Sequence, residues 1–220
     1  MDGSPDRWTL HVAALLFDSD GVLVDSDASV TRSWTRWSER YGLDAAGVLH
    51  VVHGRRAADT VVELLPERLH AEALERIHRY ELEDTGAVTA LPGAPELTAG
   101  LPAARWAVVT SATSQLAAGR LAAAGIAPPT VLVTADDVAA GKPAPDGYRL
   151  AAEQLGAPVA RCVVLEDAPS GVAAARAAGV GAVVGIGERA LDTDADVVVP
   201  DLRSVAYDGG AVIVTGPRLR

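Results

Sequence analysis

The chain has 220 residues and a net charge of −10, with 49% hydrophobic and 22% charged residues. That suits one globular domain, or one domain carrying an insert, and is too apolar for a disordered chain. An acidic protein lacks the basic face that nonspecific nucleic-acid binding needs, and the 4% aromatic content offers little for stacking single strands.

The first residues are polar and acidic, unlike a signal peptide. No apolar run approaches the roughly 20 residues of a membrane span. The single cysteine, Cys162, makes no internal disulfide, which fits a reducing compartment. A cytoplasmic chain is expected, with no membrane or nucleic-acid partner, and a monomer is the default.

Residues 12–17 are an apolar run that reads as the first strand. From about Asp27 to about Thr89 the pattern becomes helical: 29–41, with Val30, Trp34 and Trp37 on one stripe, then 57–65 and 71–82. Leu91-Pro92-Gly93 marks a turn out of that segment. Beyond it, apolar strand-length runs at 106–109, 131–133, 162–165 and 182–186 alternate with Ala-rich helical stretches at 114–124, 146–155 and 170–178. Each of these helices is followed by a glycine, Gly125, Gly156 or Gly179, the residue that best takes a left-handed helix end. Residues 205–207 and 211–214 flank Asp208-Gly209-Gly210 and read as a terminal hairpin.

Continuous apolar strands alternating with helices predict a Rossmann-like three-layer α/β/α fold with a mostly parallel sheet. A small all-helical domain is inserted after the first strand. The expected boundaries are 1–25 and 91–220 for the α/β core and 26–90 for the helical insert.

Open α/β sheets bind ligands at the carboxyl ends of their strands. There the sequence places Asp18-Ser19-Asp20-Gly21-Val22, Thr110-Ser111, Gly141-Lys142-Pro143 and Glu166-Asp167. One crevice therefore collects four acids, a hydroxyl and Lys142, the only lysine among 19 basic residues. An isolated Asp-x-Asp reads equally well as helix capping; the full ordered set does not. Clustered carboxylates need a positive charge among them, and Mg²⁺ with its preference for oxygen ligands is the natural one.

With Gly171 following Glu166-Asp167, these motifs resemble the haloacid dehalogenase superfamily of phosphohydrolases, over nearly the whole chain. The resemblance implies catalytic roles for four residues. Asp18 would attack phosphorus and become an aspartyl phosphate. Asp20 would protonate the leaving oxygen and then activate water. Ser111 and Lys142 would hold the phosphoryl oxygens. Asp18, the carbonyl of Asp20, Glu166 and Asp167 would hold Mg²⁺. An Asp at position 20 resembles the phosphatases and phosphomutases of the superfamily.

The helical insert resembles the family's cap. Its His53-Gly54-Arg55-Arg56-x-x-Asp59 is similar to a pattern of sugar and polyol phosphate phosphatases. The resemblance implies substrate binding by His53, Gly54, Arg55, Arg56, Ser111, Ala112 and Lys142. The plainer reading is a polar helix start with Asp59 paired to Arg55 or Arg56. Trp34 and Trp37 read as core of the helical domain, and Cys162 as an inert core thiol. The expected function is Mg²⁺-dependent hydrolysis of a small phosphorylated metabolite, a sugar or polyol phosphate. A β-phosphoglucomutase-type phosphomutase and a phosphoglycolate-type phosphatase are the alternatives.

Overall fold

Strands buried on both faces need apolar residues at every position, and that requirement picks out the centre of this fold. The structure, a computed structural model, describes residues 7–216 and 218–219. It begins with β1 (Trp8–His11), β2 (Ala14–Phe17) and β3 (Val24–Asp25). Four helices follow, α1 (Asp27–Tyr41), α2 (Ala45–Val52), α3 (Ala57–Leu64) and α4 (His70–Glu83), and then β4 (Thr89–Ala90). Next come α5 (Ala94–Ala99), β5 (Trp106–Val109), α6 (Ser114–Ala123), β6 (Val131–Val133), α7 (Asp146–Gln154), β7 (Cys162–Glu166), α8 (Pro169–Ala178) and β8 (Ala182–Ile186). The chain closes with β9 (Val197–Val199), β10 (Val205–Asp208) and β11 (Ala211–Val214).

Six strands form a parallel sheet in the order β6-β5-β2-β7-β8-β9. β2 lies between β5 and β7, with Leu15 opposite Trp106 on one side and Val163 on the other. Its side chains alternate between two apolar clusters. Leu15 and Phe17 join one face, where Phe17 meets Trp106 edge-on at 5.9 Å. Ala14 and Leu16 join the other, against the alanine faces of α7 and α8. The predicted glycines Gly125, Gly156 and Gly179 all have positive φ.

Two sequence expectations change. The run 12–17 is not one strand, because Val12 N donates to Gly210 O and Ala13 N to Arg161 O, and only Ala14–Phe17 enters the parallel sheet. The preceding residues form β1, whose alternating burial lets it pair antiparallel with β11 and extend the predicted hairpin to three strands. The three valines of β9 add a sixth parallel strand that their short length had hidden.

Helices α1–α4 have an apolar cluster of their own. Trp34, Trp37, Ile77 and Tyr80 are buried in it, with Trp37 Nε1 donating to Ala73 O at 2.9 Å and Trp34 packed edge-on at 5.1 Å. α2 was not expected; Asp44 caps it by accepting from Gly47 N. The chain enters and leaves the four helices through β3 and β4, which pair antiparallel as Val24 opposite Ala90 and Asp25 opposite Thr89. Among the described residues no helix is long and apolar enough to cross a membrane.

Candidate active site

The central strand β2 ends one residue before Asp18, whose N–H donates to Leu165 O on β7. The chain then folds tightly, with Leu23 and Val24 N–H both donating to Ser19 O and Gly21 N–H to Val24 O. Gly21 sits at φ 83°, and a Cβ there would lie 2.1 Å from Asp167 Oδ2. Only glycine both adopts that conformation and leaves the space. The turn hangs Asp18 and Asp20 over the carboxyl end of the sheet.

Lys142 reaches the same point from the loop after β6. Its Nζ donates to Asp18 Oδ1 at 2.5 Å and to Glu166 Oε1 at 2.7 Å. Glu166 ends β7 and is fully buried. Its Oε1 also accepts from the Tyr148 hydroxyl at 3.1 Å, and its Oε2 from Ala168 N–H at 2.8 Å. α8 covers it closely: a Cβ on Gly171 would lie 1.5 Å from Glu166 Oε1. Asp167 turns outward onto Arg189, whose Nε and Nη2 donate to Oδ2 at 2.9 and 2.7 Å, while Nη1 donates to Asp27 Oδ2 at 2.8 Å.

Asp18, Glu166 and Asp167 each offer an oxygen to a cluster within 4.8 Å, and all three are buried. Burial lifts the Asp18 carboxyl above its usual range, with Lys142 opposing and the other acids reinforcing. Asp167 is pushed up to about 7 by burial and by Glu166, despite Arg189. Burial alone would lower the Lys142 ammonium, but Asp18 and Glu166 outweigh it and keep it protonated. Three acids thus face one lysine and one arginine, and that shortfall of positive charge among hard oxygen donors fits a Mg²⁺ ion.

Asp20 is held differently. Its Oδ1 accepts from Ser26 Oγ at 2.6 Å and from Arg120 Nη1 at 2.9 Å. The sequence reading did not include Arg120, Tyr148 or Arg189. For Arg120 a signal existed, since it falls on the apolar stripe of α6 with Leu116, Ala117 and Leu121, where an unpaired charge is rarely tolerated.

A cavity of about 220 Å³ lies between the sheet end and the four helices, small beside the usual roughly 300–1,000 Å³ of ligand sites. Asp18, Asp20, Ser111, Ala112, Asp167 and the segment 53–56 line it. Ser111 Oγ donates to Gly54 O at 2.9 Å. His53 lies 4.0 Å from Asp27, and burial lowers its imidazole pKa. Arg55 pairs with Glu63 at 2.6 Å. Arg56 donates to both Asp59 oxygens at 2.8 Å and to the carbonyls of Val138 and Ala139. All three of its nitrogens are therefore engaged, and it ties α3 to the loop that carries Lys142. Gly141 leaves room for this crossing, because a Cβ there would lie 2.5 Å from Arg56 Nε.

The sequence model of the haloacid dehalogenase-like hydrolases matches residues 12–179. Hexitol phosphatase A of Escherichia coli strain K12 is 40% identical over 178 residues, spanning 77% of this chain and 81% of the relative. The 2-deoxyglucose-6-phosphate phosphatase 1 of Saccharomyces cerevisiae is 32% identical, spanning 93% of this chain and 96% of its own. The crystal structure of a hydrolase from Pseudomonas syringae shares the fold with a TM-score of 0.78 at 26% identity, covering 86% of this chain and 94% of that one. The parallel sheet, the Asp18 turn and these similarities agree, and the chain belongs to the haloacid dehalogenase-like hydrolase family.

Proposed function

We propose that the protein hydrolyses small sugar or polyol phosphates, with Asp18 as nucleophile. The observation that carries this reading is the Asp18–Lys142–Glu166 arrangement. A carboxylate at the end of the central strand is held at 2.5 Å by the only lysine of the chain, and a second buried acid fixes that lysine from behind. The names of the relatives, hexitol phosphatase and 2-deoxyglucose-6-phosphate phosphatase, support the substrate class, and so does the small cavity.

In this mechanism an Asp18 oxygen bonds to phosphorus as the bond from phosphorus to the ester oxygen breaks. Asp20 gives its proton to that oxygen, and the alcohol departs. Asp20 then takes a proton from a water that attacks the aspartyl phosphate, which frees Asp18 and inorganic phosphate. One acid–base residue serves both displacements. Lys142 and Ser111 hold the phosphoryl oxygens, and Lys142 also offsets the charge brought together when a carboxylate meets a phosphate dianion. Asp18, Asp167 and the Asp20 carbonyl would hold Mg²⁺ with Glu166 assisting, and the ion would supply further positive charge at the phosphoryl oxygens.

Residues 26–90 act in this reading as a cap over a core of 1–25 and 91–220, entered and left through β3 and β4. The Ser111–Gly54 bond and the Arg56 contacts with Val138 and Ala139 are the ties of the closed state, which excludes bulk water during chemistry. Arg56 is then a latch more than a substrate ligand. His53, Gly54, Arg55 and Ala112 are left to border the substrate.

The test is release of inorganic phosphate from glucitol 6-phosphate and glycerol 1-phosphate by wild type and Asp18→Asn. Release by wild type alone supports the reading, and equal release contradicts it. Conversion of β-glucose 1-phosphate to glucose 6-phosphate without phosphate release would instead make the protein a phosphomutase.

A further inference from the structure

The cavity holds two charged residues that the phosphoryl chemistry leaves unused. Glu81 from α4 and Arg120 from α6 both line it, and they are only 7% and 3% exposed. Arg120 Nη1 is spent on Asp20. Its Nη2 stands 3.6 Å from Glu81 Oε1, too far for a hydrogen bond. Nε and Nη2 have no hydrogen-bond acceptor at all, and buried donors left in that state are rare and costly.

A purely structural ion pair would close to contact, as Arg56 does on Asp59 and Arg32 on Asp84. This one stays apart. Its carboxylate also stands in a cavity that must admit an anion, so it repels the phosphoryl end of a ligand and suits only an uncharged part. Val30, Trp34 and Leu74 line the same cavity, apolar residues among its many polar ones against which the carbon chain of a small ligand can pack. A hydroxyl group both donates and accepts. Placed between the pair, it would donate to the Glu81 carboxylate and accept from Arg120 Nη2, filling one of the two open donors of Arg120.

We propose that Glu81 and Arg120 form a subsite that reads a hydroxyl on the carbon chain of the substrate, an assignment that rests on the phosphatase reading above. Arg120 grips Asp20 with its other nitrogen, and Asp20 protonates the ester oxygen in that reading. The hydroxyl recognised is therefore one on the carbon next to the phosphorylated carbon. Glu81 is the specificity-determining group. Arg120 is a positioning residue that sets Asp20 and the substrate hydroxyl against one another.

The experiment compares kcat/KM within two matched pairs: glucitol 6-phosphate against its 5-deoxy analogue, and glycerol 1-phosphate against propane-1,3-diol monophosphate. Wild type is expected to favour the hydroxylated member by about 10- to 100-fold, the range for a hydrogen bond to a charged group. Glu81→Leu should bring the ratio towards one by slowing the hydroxylated member more than the deoxy member, and Glu81→Gln should fall between. A general structural defect would slow both members equally and leave the ratio unchanged. A wild-type ratio near one, or an unchanged ratio in both variants, would overturn the subsite. The wild-type arm decides even where a variant fails to fold. Absence of phosphate release from every one of these esters would instead overturn the phosphatase reading.

Discussion

Glu81→Gln should make the protein more stable above neutral pH. Burial lifts the Glu81 carboxyl from its ordinary 4.5 to about 7, an effect that Arg120 only partly opposes. An acid whose pKa is raised by folding binds its proton more tightly in the folded state. Its contribution to stability is complete below pH 4.5 and is lost as the pH rises through about 7. At about 1.4 kcal/mol per pH unit, the loss has a ceiling of roughly 3–4 kcal/mol. Glutamine does not titrate. The stability difference between variant and wild type should therefore be a constant offset below pH 4.5 and should widen in favour of the variant towards pH 8. Urea unfolding of both proteins at pH 4.5, 6, 7 and 8 without divalent metal measures it, with the slope serving as a check that the unfolded states match. A difference that does not change with pH would refute the reasoning, as would one that shrinks. Retaining a carboxylate at this cost makes sense if the group has work to do on the substrate, where stability is commonly sacrificed.

Two further outcomes follow from packing. Gly171→Ala should destabilise the protein by about 3 kcal/mol or more, because the new Cβ falls on Glu166 Oε1 and disrupts a buried charged network; helix propensity alone would favour alanine by about 1 kcal/mol, so a rise in thermal midpoint would contradict the packing account. Cys162 has no exposed surface and burial pushes its thiol up to about 11, so at pH 8 a disulfide reagent should modify the folded protein at least about 100-fold more slowly than the urea-unfolded protein; equal rates would contradict its place in β7.

The residues that meet at the sheet end were readable because their strands are short apolar runs, with Asp18 just past one, Glu166 and Asp167 at the end of another and Lys142 in the loop after a third. The parallel order then brings distant segments to one crevice, and Asp18, Lys142, Glu166 and Asp167 meet there. β9 was harder to see, since three valines between Asp196 and Pro200 are too few to separate a strand from a loop. β1 was hidden because its alternating pattern, buried on one side only, joins directly onto the continuous run of β2. The partners Tyr148, Arg120 and Arg189 come from elements whose local sequence says nothing about the acid each will face. For Arg56, the motif resemblance pointed to substrate and the plainer reading to a pairing with Asp59; the side chain makes that pairing and also lines the cavity. A motif fixes residue types and spacing, while the direction of a long flexible side chain is set by tertiary neighbours such as the Val138 and Ala139 carbonyls.

The central claim is that Asp18 carries out the bond-forming step. The rate of phosphate release from glucitol 6-phosphate by Asp18→Asn, measured with Mg²⁺ beside wild type of equal folded content, tests it most directly. The amide keeps the shape of the side chain but is a far poorer nucleophile, so the rate should fall by about three orders of magnitude or more. A rate within a few-fold of wild type would show that phosphorus is attacked by some other group and would contradict the mechanism.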